Sequence, residues 1–498
     1  MQSRARPEGR GPAPGAPARA LAAALLAGCA LCASPRACAD TVNFEPYVNL
    51  EEEFTDNVFL TEANRQDDFI SRAIVGANIG LDGPRLTGKV LARAWYDLYA
   101  NSPGASGFSV DTNGQASYEL FTRLLYLDAA GLLTNSYVST FGTPADDRAG
   151  LPGRYQLSTY HVGPTLKTEI GDFEDLLVMA RFAQIFFGIP PSSPTVTLPS
   201  NSTIYHVKAR AGTGERSTRY ELVTRAEYER DDHDFQLFDM AQAAYVRIFP
   251  GMRLVARGGY DNVTQPGVLD ISSPAWSAGF QALINKDSKF TAEGGQRFHR
   301  AYWSGSLRLQ ISDRLYATGN YDEGYEPEQV RLESLFSDYI SDEIELPPQL
   351  VPSQFNINGN LYDETSFSKL GQLHVVYSWE LQDIDLAALW NDRRFFPSRQ
   401  TDRVIQGSAT YKRELRRDLS AQLQGYYWRD YANPVAGQTG DIVYGSSETF
   451  GGALSVNYAL NSTMGLSLRY DYRRQRELFT GGSTADENAV RLSVEKRF

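Results

Sequence analysis

Cysteine is nearly missing from this 498-residue chain: Cys29, Cys32 and Cys38 are the full set, and none follows residue 38. That excludes a disulfide scaffold, a Cys-ligated zinc or iron–sulfur site and a cysteine nucleophile from everything downstream. Histidine is scarce as well, with only His161, His206, His233, His299 and His374. So sparse a set argues against a His-rich metal centre, and no cofactor or metal is expected. No GxSxG elbow, HExxH helix, P-loop or dinucleotide fingerprint occurs. Nor does any stretch beyond residue 40 approach eighteen consecutive apolar residues, so no transmembrane helix is predicted.

What is present begins with an export signal. Arg4, Arg6, Arg10 and Arg19 precede the apolar run Leu21 to Ala33, and small residues follow at Ala37-Cys38-Ala39. This is the layout of a secretory signal peptide over residues 1–39, with cleavage before Asp40. The competing reading is a lipobox at Leu26-Ala27-Gly28-Cys29, with Cys29 lipidated. Both send the protein out of the cytoplasm. Without residues 1–39 the chain holds 43 basic and 59 acidic residues, a net charge of −16, which speaks against a nucleic-acid partner.

By length alone the chain suggests several soluble domains, but its patterning points elsewhere. Runs of about ten residues alternate with period two. One face of Leu86–Leu98 reads Leu86, Gly88, Val90, Ala92, Ala94, Tyr96, Leu98, and the other Thr87, Lys89, Leu91, Arg93, Trp95, Asp97. Met464–Arg473 and Phe450–Leu460 behave alike. Ten candidate tight turns separate such runs: Asp82-Gly-Pro, Asp128-Ala-Ala-Gly, Gly171-Asp-Phe-Glu, Gly214-Glu-Arg-Ser, Phe249-Pro-Gly, Asn285-Lys-Asp-Ser, Ser312-Asp-Arg, Gln382-Asp-Ile, Arg416-Arg-Asp and Leu460-Asn-Ser-Thr. Longer polar connections (101–111, 188–202, 432–447, 475–487) alternate with them.

Short turns at one end and long loops at the other predict an all-β fold: a transmembrane antiparallel up-and-down β-barrel over residues 40–498, of about 22 strands with a range of 18–24. A soluble sandwich would need a second layer over each apolar face, and none is evident. In lipid no cover is needed, and closure satisfies the backbone. A soluble β-rich secreted protein is the competing reading. Tyr96, Tyr126, Tyr260, Trp303, Tyr458 and Tyr472 are the expected interfacial girdles. The expected location is the Gram-negative outer membrane, with its lipid as a partner. No receptor-type plug is expected, because strand-like sequence starts at Asn43.

At the other end Val490, Leu492, Val494 and Phe498 alternate with Arg491, Ser493, Glu495 and Arg497, a pattern similar to the terminal strand that barrel assembly machinery recognises; Lys496 departs from it. The segment Phe54-Thr-Asp-Asn-Val-Phe-Leu-Thr61, followed by Asp67-Asp-Phe-Ile70, resembles the opening signature of the beta-barrel porin 2 family of proteobacterial outer-membrane proteins. Some of its members are linked with exopolysaccharide and PEP-CTERM gene clusters. The resemblance covers Phe44 to Asn101. It implies an outer-membrane barrel with porin-like passage or polysaccharide export, alongside periplasmic export components, and carries over no catalytic residue.

The polar strand faces supply the candidate pore lining: Arg93, Asp97, Arg123, Lys208, Arg210, Arg225, Arg253, Arg257, Arg308, Arg469, Asp471 and Arg473. Such side chains either favour anionic solutes or knit a salt-bridge mesh. Trp95, Tyr426 and Trp428 are read as sugar-stacking positions or as wall packing. The connection 323–365 stands apart. It has helical spacing over Val330–Ile344, and from Glu323 to Glu345 eight acids face one base, Arg331. It is expected either to fold into the pore as a constriction, with Glu328, Glu333, Asp338, Asp342 and Glu343 as its acids, or to lie outside. The run Asp231-Asp232-His233-Asp234 is read as a solvated hairpin tip, with a calcium site or a hydrolase as alternatives. The expected activity is that of a porin-like channel for hydrophilic solutes or polysaccharide, not an enzyme; a non-conducting protein that anchors extracellular polymer is the alternative.

Overall fold

Alternating side chains impose extended backbone, and extended backbone must find a partner for every N–H and C=O. The computed structural model describes residues 41–137, 148, 154–170, 173–188, 199–213, 219–285, 287–333, 364–433, 446–478 and 482–498. Among them lie 22 strands: β1 (Thr41–Thr55), β2 (Asp68–Asp82), β3 (Leu86–Tyr99), β4 (Gly107–Phe121), β5 (Leu125–Tyr137), β6 (Arg154–Ile170), β7 (Phe173–Gly188), β8 (Ser202–Gly212), β9 (Tyr220–Asp231), β10 (Gln236–Phe249), β11 (Met252–Gln265), β12 (Leu269–Asn285), β13 (Ser288–Arg297), β14 (Arg300–Ser312), β15 (Leu315–Pro327), β16 (Thr365–Trp379), β17 (Gln382–Phe396), β18 (Thr401–Arg416), β19 (Leu419–Asn433), β20 (Ser447–Asn461), β21 (Met464–Glu477) and β22 (Thr484–Arg497). Each pairs antiparallel with the next. β22 closes on β1 from Tyr47 opposite Arg497 to Thr55 opposite Ala489, so no edge is left open.

The two faces differ as lipid and water require. On β1, Val42, Phe44 and Leu50 point outward and are exposed, while Glu53 and Thr55 on the alternate face are buried. The same division holds on β3 and β21 as the alternation predicts, with Tyr96 and Leu98, and Leu468 and Tyr470, on the outside. Tyr260 and Trp303 are exposed girdle residues as expected. Tyr126 is not: it sits opposite Glu119, to whose Oε1 its hydroxyl donates at 3.5 Å. Its neighbour Asp128 is bonded by Ser117 and Thr165 on the lumen side.

Two expected turns move. Asp128-Ala-Ala-Gly lies inside β5, and the chain reverses at Thr122-Arg-Leu instead, with Arg123 in the left-handed region at φ 57°. Its strain is offset locally, since Arg123 N–H donates to Glu119 Oε1 at 2.5 Å. Gln382 opens β17, and the reversal is at Glu380 and Leu381. Gly171, Asp172 and the turn from Gly214 to Ser217 lie outside the described residues, as does the expected signal segment 1–39 with its three cysteines.

Buried apolar side chains gather in small clusters near the end that carries the long connections. Tyr155, Leu157, Ile185 and Leu332 form one; Phe235, Val263, Leu269, Phe298, Tyr325 and Phe367 a second; Val58, Ile70, Tyr99 and Ala105 a third. Elsewhere the inner wall is polar and closely laid. A Cβ on lumen-facing Gly279 or Gly295 would run into the backbone of Ala292 or Trp276 on the neighbouring strand, so these positions need glycine.

Candidate lumen and constriction

Strand register decides which inward side chains meet, because residues directly opposite on one face are close enough to pair. Arg72 on β2 stands opposite Asp97 on β3, and Arg93 opposite Asp111 on β4. Across the closing seam Glu53 faces Arg491, and beside the seam Arg473 of β21 faces Glu487 of β22. Each pair is joined. Arg72 donates to Asp97 from Nε at 2.5 Å and Nη2 at 3.2 Å, and Arg93 reaches Asp111 at 2.7 Å. Arg491 meets Glu53 at 2.6 Å and Arg473 meets Glu487 at 2.5 Å. Arg469 and Asp471, two apart on β21, pair at 2.7 Å.

Arg148, from the β5–β6 connection, is buried against the same seam and binds Glu53 at 2.8 Å and Glu487 at 2.6 Å. These strands border a cavity of about 1200 Å³. Its lining holds eight carboxylates (Glu45, Glu51, Glu53, Asp82, Asp111, Asp471, Glu487, Glu495) and seven bases (Lys89, Arg93, Arg148, Arg469, Arg473, Arg491, Arg497). The seam is therefore balanced in charge.

The wall from β9 to β14 repeats the motif. Arg297 binds Asp261 at 2.8 Å and also Asp239, which takes Arg225 at 3.2 Å. Arg257 meets Glu293 at 2.9 Å and Arg253 meets Glu221 at 2.6 Å. Lys208 lies opposite Glu227, and Arg210 opposite Arg225. Arg308 is exposed on the lumen face opposite Lys289. Of the expected lining residues only Arg123 leaves the wall, since its place is the turn. The salt-bridge reading of the arginines thus describes most of the lumen. Trp95 and Trp428 are buried, Trp95 beneath the Arg93 guanidinium at 5.0 Å, which is wall packing; Tyr426 lines the seam cavity.

The first residues of the β15–β16 connection turn into the barrel. Residues 328–333 are helical and all six are buried. Glu328 receives Arg393 of β17 at 3.0 Å and also Arg331; Arg393 is itself buried and paired with Asp402 of β18. At the far end Leu332 packs on Tyr155, Leu157 and Ile185. Val330 packs on Ala183 and Ile204, Gln329 donates to Ser200 O at 3.2 Å, and His161 Nδ1 meets Glu333 Oε1 at 3.2 Å. The segment thus ties β17 to β6, β7 and β8. β7 and β17 are ten strands apart in a ring of 22, so these contacts cross the lumen. Asp338, Asp342 and Glu343, and the rest of the expected helix, lie outside the described residues.

The run Asp231 to Asp234 forms a tight β9–β10 turn. Asp231 Oδ1 accepts from His233 N and Phe235 N, both at 2.9 Å. Asp232 accepts from Ser202 Oγ at 2.8 Å, and its N–H donates to Thr203 O at 3.1 Å. Burial pulls the Asp232 carboxyl up, but hydrogen bonds to it from the Thr203 backbone and the Ser202 hydroxyl, together with the His233 ring, outweigh it and hold it below the usual carboxylate range. Ser200 Oγ lies 2.9 Å from His233 Nε2, and His233 Nδ1 3.1 Å from Asp232. That order imitates a hydrolase relay. Yet the side chains of His233 and Asp232 are 37% and 48% exposed, where water competes for the base.

A closed, even-stranded, single-chain barrel with an apolar outer face and a polar lumen is an outer-membrane β-barrel of the Gram-negative type. Among solved structures it is similar to a ferric enterobactin receptor (PfeA) mutant of Pseudomonas aeruginosa, at 10% identity over 92% of this chain and 80% of that one, with TM-score 0.44. It is similar also to the siderophore receptor PirA of Acinetobacter baumannii (9% identity, 92% and 81%, TM-score 0.45) and to OccAB3 of Acinetobacter baumannii (11%, 92% and 99%, TM-score 0.34). No function is carried across from them. No protein-family model and no curated protein matches the chain.

Proposed function

We propose that the protein is an outer-membrane channel for hydrophilic solutes, narrowed by the inward segment Glu328–Glu333. The observation that carries this reading is the placement of that segment: buried, bound to both walls, and set in a polar lumen whose seam leaves about 1200 Å³ open. A loop folded inside a barrel is how a wide ring becomes a selective passage. The resemblance around Phe54–Thr61 supports polysaccharide as the cargo. The burial of the same segment also supports a second reading, a closed barrel that anchors extracellular polymer without conducting. Purified protein reconstituted in planar bilayers separates the two. Discrete conductance steps are expected, and their absence at all voltages overturns the channel reading in favour of the anchor.

A further inference from the structure

We infer that the seam cavity favours electrically neutral, hydroxyl-rich solutes of the saccharide class over anions of equal size; this rests on the channel reading above. The inference starts from the arginines. A free guanidinium in a lumen attracts anions, but here the six arginines of the lining are already matched, and Lys89 is the base left without a carboxylate partner among the described residues. Arg93 lies 2.7 Å from Asp111, Arg469 2.7 Å from Asp471, Arg491 2.6 Å from Glu53, and Arg497 2.7 Å from Glu495. Arg148 and Arg473 share Glu487 at 2.6 and 2.5 Å. An anion entering the cavity meets a carboxylate beside every one of these cations and gains little by approaching.

The balance extends to the whole lining, eight acids against seven bases. What remains is a surface of close dipoles, interleaved with the amides of Asn78 and Asn113 and the phenols of Tyr47 and Tyr426. Donors and acceptors alternate on it at short range. A hydroxyl group is donor and acceptor at once, so a polyol can exchange its water for this wall at almost any orientation. An anion loses hydration and finds in return only Lys89 without a carboxylate partner among the described residues, while Glu45 and Asp82 of the same lining hold no base and repel it. The cavity, at about 1200 Å³, exceeds the roughly 300–1,000 Å³ that holds a drug-sized molecule, so an oligosaccharide fits without close wall contact on every side.

Two measurements on the wild-type chain test this. In planar bilayers under a KCl gradient, the potassium-to-chloride permeability ratio is expected within about threefold of one. In liposome swelling, sucrose is expected to enter at least about threefold faster than a disaccharide of similar size carrying one carboxylate. Freeing a cation should tilt the balance: Asp471→Asn, which releases Arg469, is expected to shift permeability toward chloride by about threefold or more. Channels that already prefer chloride by about tenfold in the wild type, or that admit the acidic sugar as fast as sucrose, overturn the inference while leaving the channel reading intact. A reconstituted protein with no conductance and no swelling overturns both. The wild-type arms decide even if the variant fails to fold.

Discussion

Undocking the inward segment from the segment's own side leaves the barrel wall untouched. Two of its contacts lie at opposite ends: Glu328 on Arg393 at 3.0 Å, and the fully buried Leu332 among Tyr155, Leu157 and Ile185. Leu332→Ala removes a core side chain and costs about 2–5 kcal/mol of docking free energy. Glu328→Gln keeps the shape but weakens a charge-assisted bond worth about 1.5–3 kcal/mol; Arg393 retains Asp402, whereas the buried Arg331 gives up its ion pair with Glu328, which adds to the loss. The two side chains share no partner, so the effects should roughly add, to at least about 3.5 kcal/mol. At tenfold per 1.4 kcal/mol, the docked-to-released ratio falls about three-hundredfold or more. The expected outcome in planar bilayers is a higher main conductance level for the double variant and flicker between two levels for each single one. Heat-dependent gel mobility reports that the barrel itself is folded. A folded double variant whose conductance histogram matches the wild type would refute the constriction.

Three further outcomes are expected. Leu454→Arg puts a charge at the lipid-facing centre of β20 and should cost about 2–4 kcal/mol in urea unfolding from vesicles; a change within error would argue against a lipid-facing position. Removing Phe498, which is 71% exposed, should leave in vitro unfolding nearly unchanged yet lower the membrane-assembled protein several-fold in cells, read by fractionation; equal assembly would dismiss the terminal signal. The carboxyl of Asp232 is held below its ordinary value, so its stabilisation is present above the unfolded value of about 3.9 and is lost as pH falls through the lower folded value. Hydrogen exchange at the β8 start should therefore accelerate on acidification below about pH 4, and Asp232→Asn should flatten that dependence.

How much of this could be read from the sequence depended on whether neighbours in the chain carried the information. The faces of β3 and β21 follow from alternation alone, because lipid demands an apolar side chain at every second position, and the strand number follows from the rhythm of reversals. The reversal at Arg123 escaped because an arginine does not advertise left-handed backbone, whereas Asp128-Ala-Ala-Gly carries residues common in turns although in β5 Asp128 accepts bonds from Ser117 and Thr165 of the adjacent strands. Charge pairing was still less legible. Arg148 binds Glu53 and Glu487, which are 95 and 339 positions away, and Arg393 meets Glu328 across 65. These partners are set by register and closure. The polar faces of the terminal strand did show Arg491 and Arg497 as inward residues, but not that Glu53 and Glu495 would neutralise them. The acidic composition of 323–345 was the one long-range feature visible in advance, because a helical, proline-bounded run between strands is out of place unless it packs on something.

Of the two readings of the lumen arginines, the basic, anion-attracting pore counts them on polar faces without their partners. In a narrow, partly dehydrated lumen an unmatched cation is costly, and the pleat offers a low-cost remedy, an acid at the directly opposed position of the next strand. Selection for a stable wall and selection for a neutral passage then favour the same residues. The acidic surplus of the chain must therefore reside mainly away from the seam, in connections such as 323–345 with eight acids against one base. That separates two electrostatic roles. Charges in the connections act on a solute through open water and fade beyond about 10 Å at 0.1 M salt. The paired wall acts at contact distance, where salt screens little. Discrimination against anions that persists at high ionic strength belongs to the wall, and discrimination that salt abolishes belongs to the mouth.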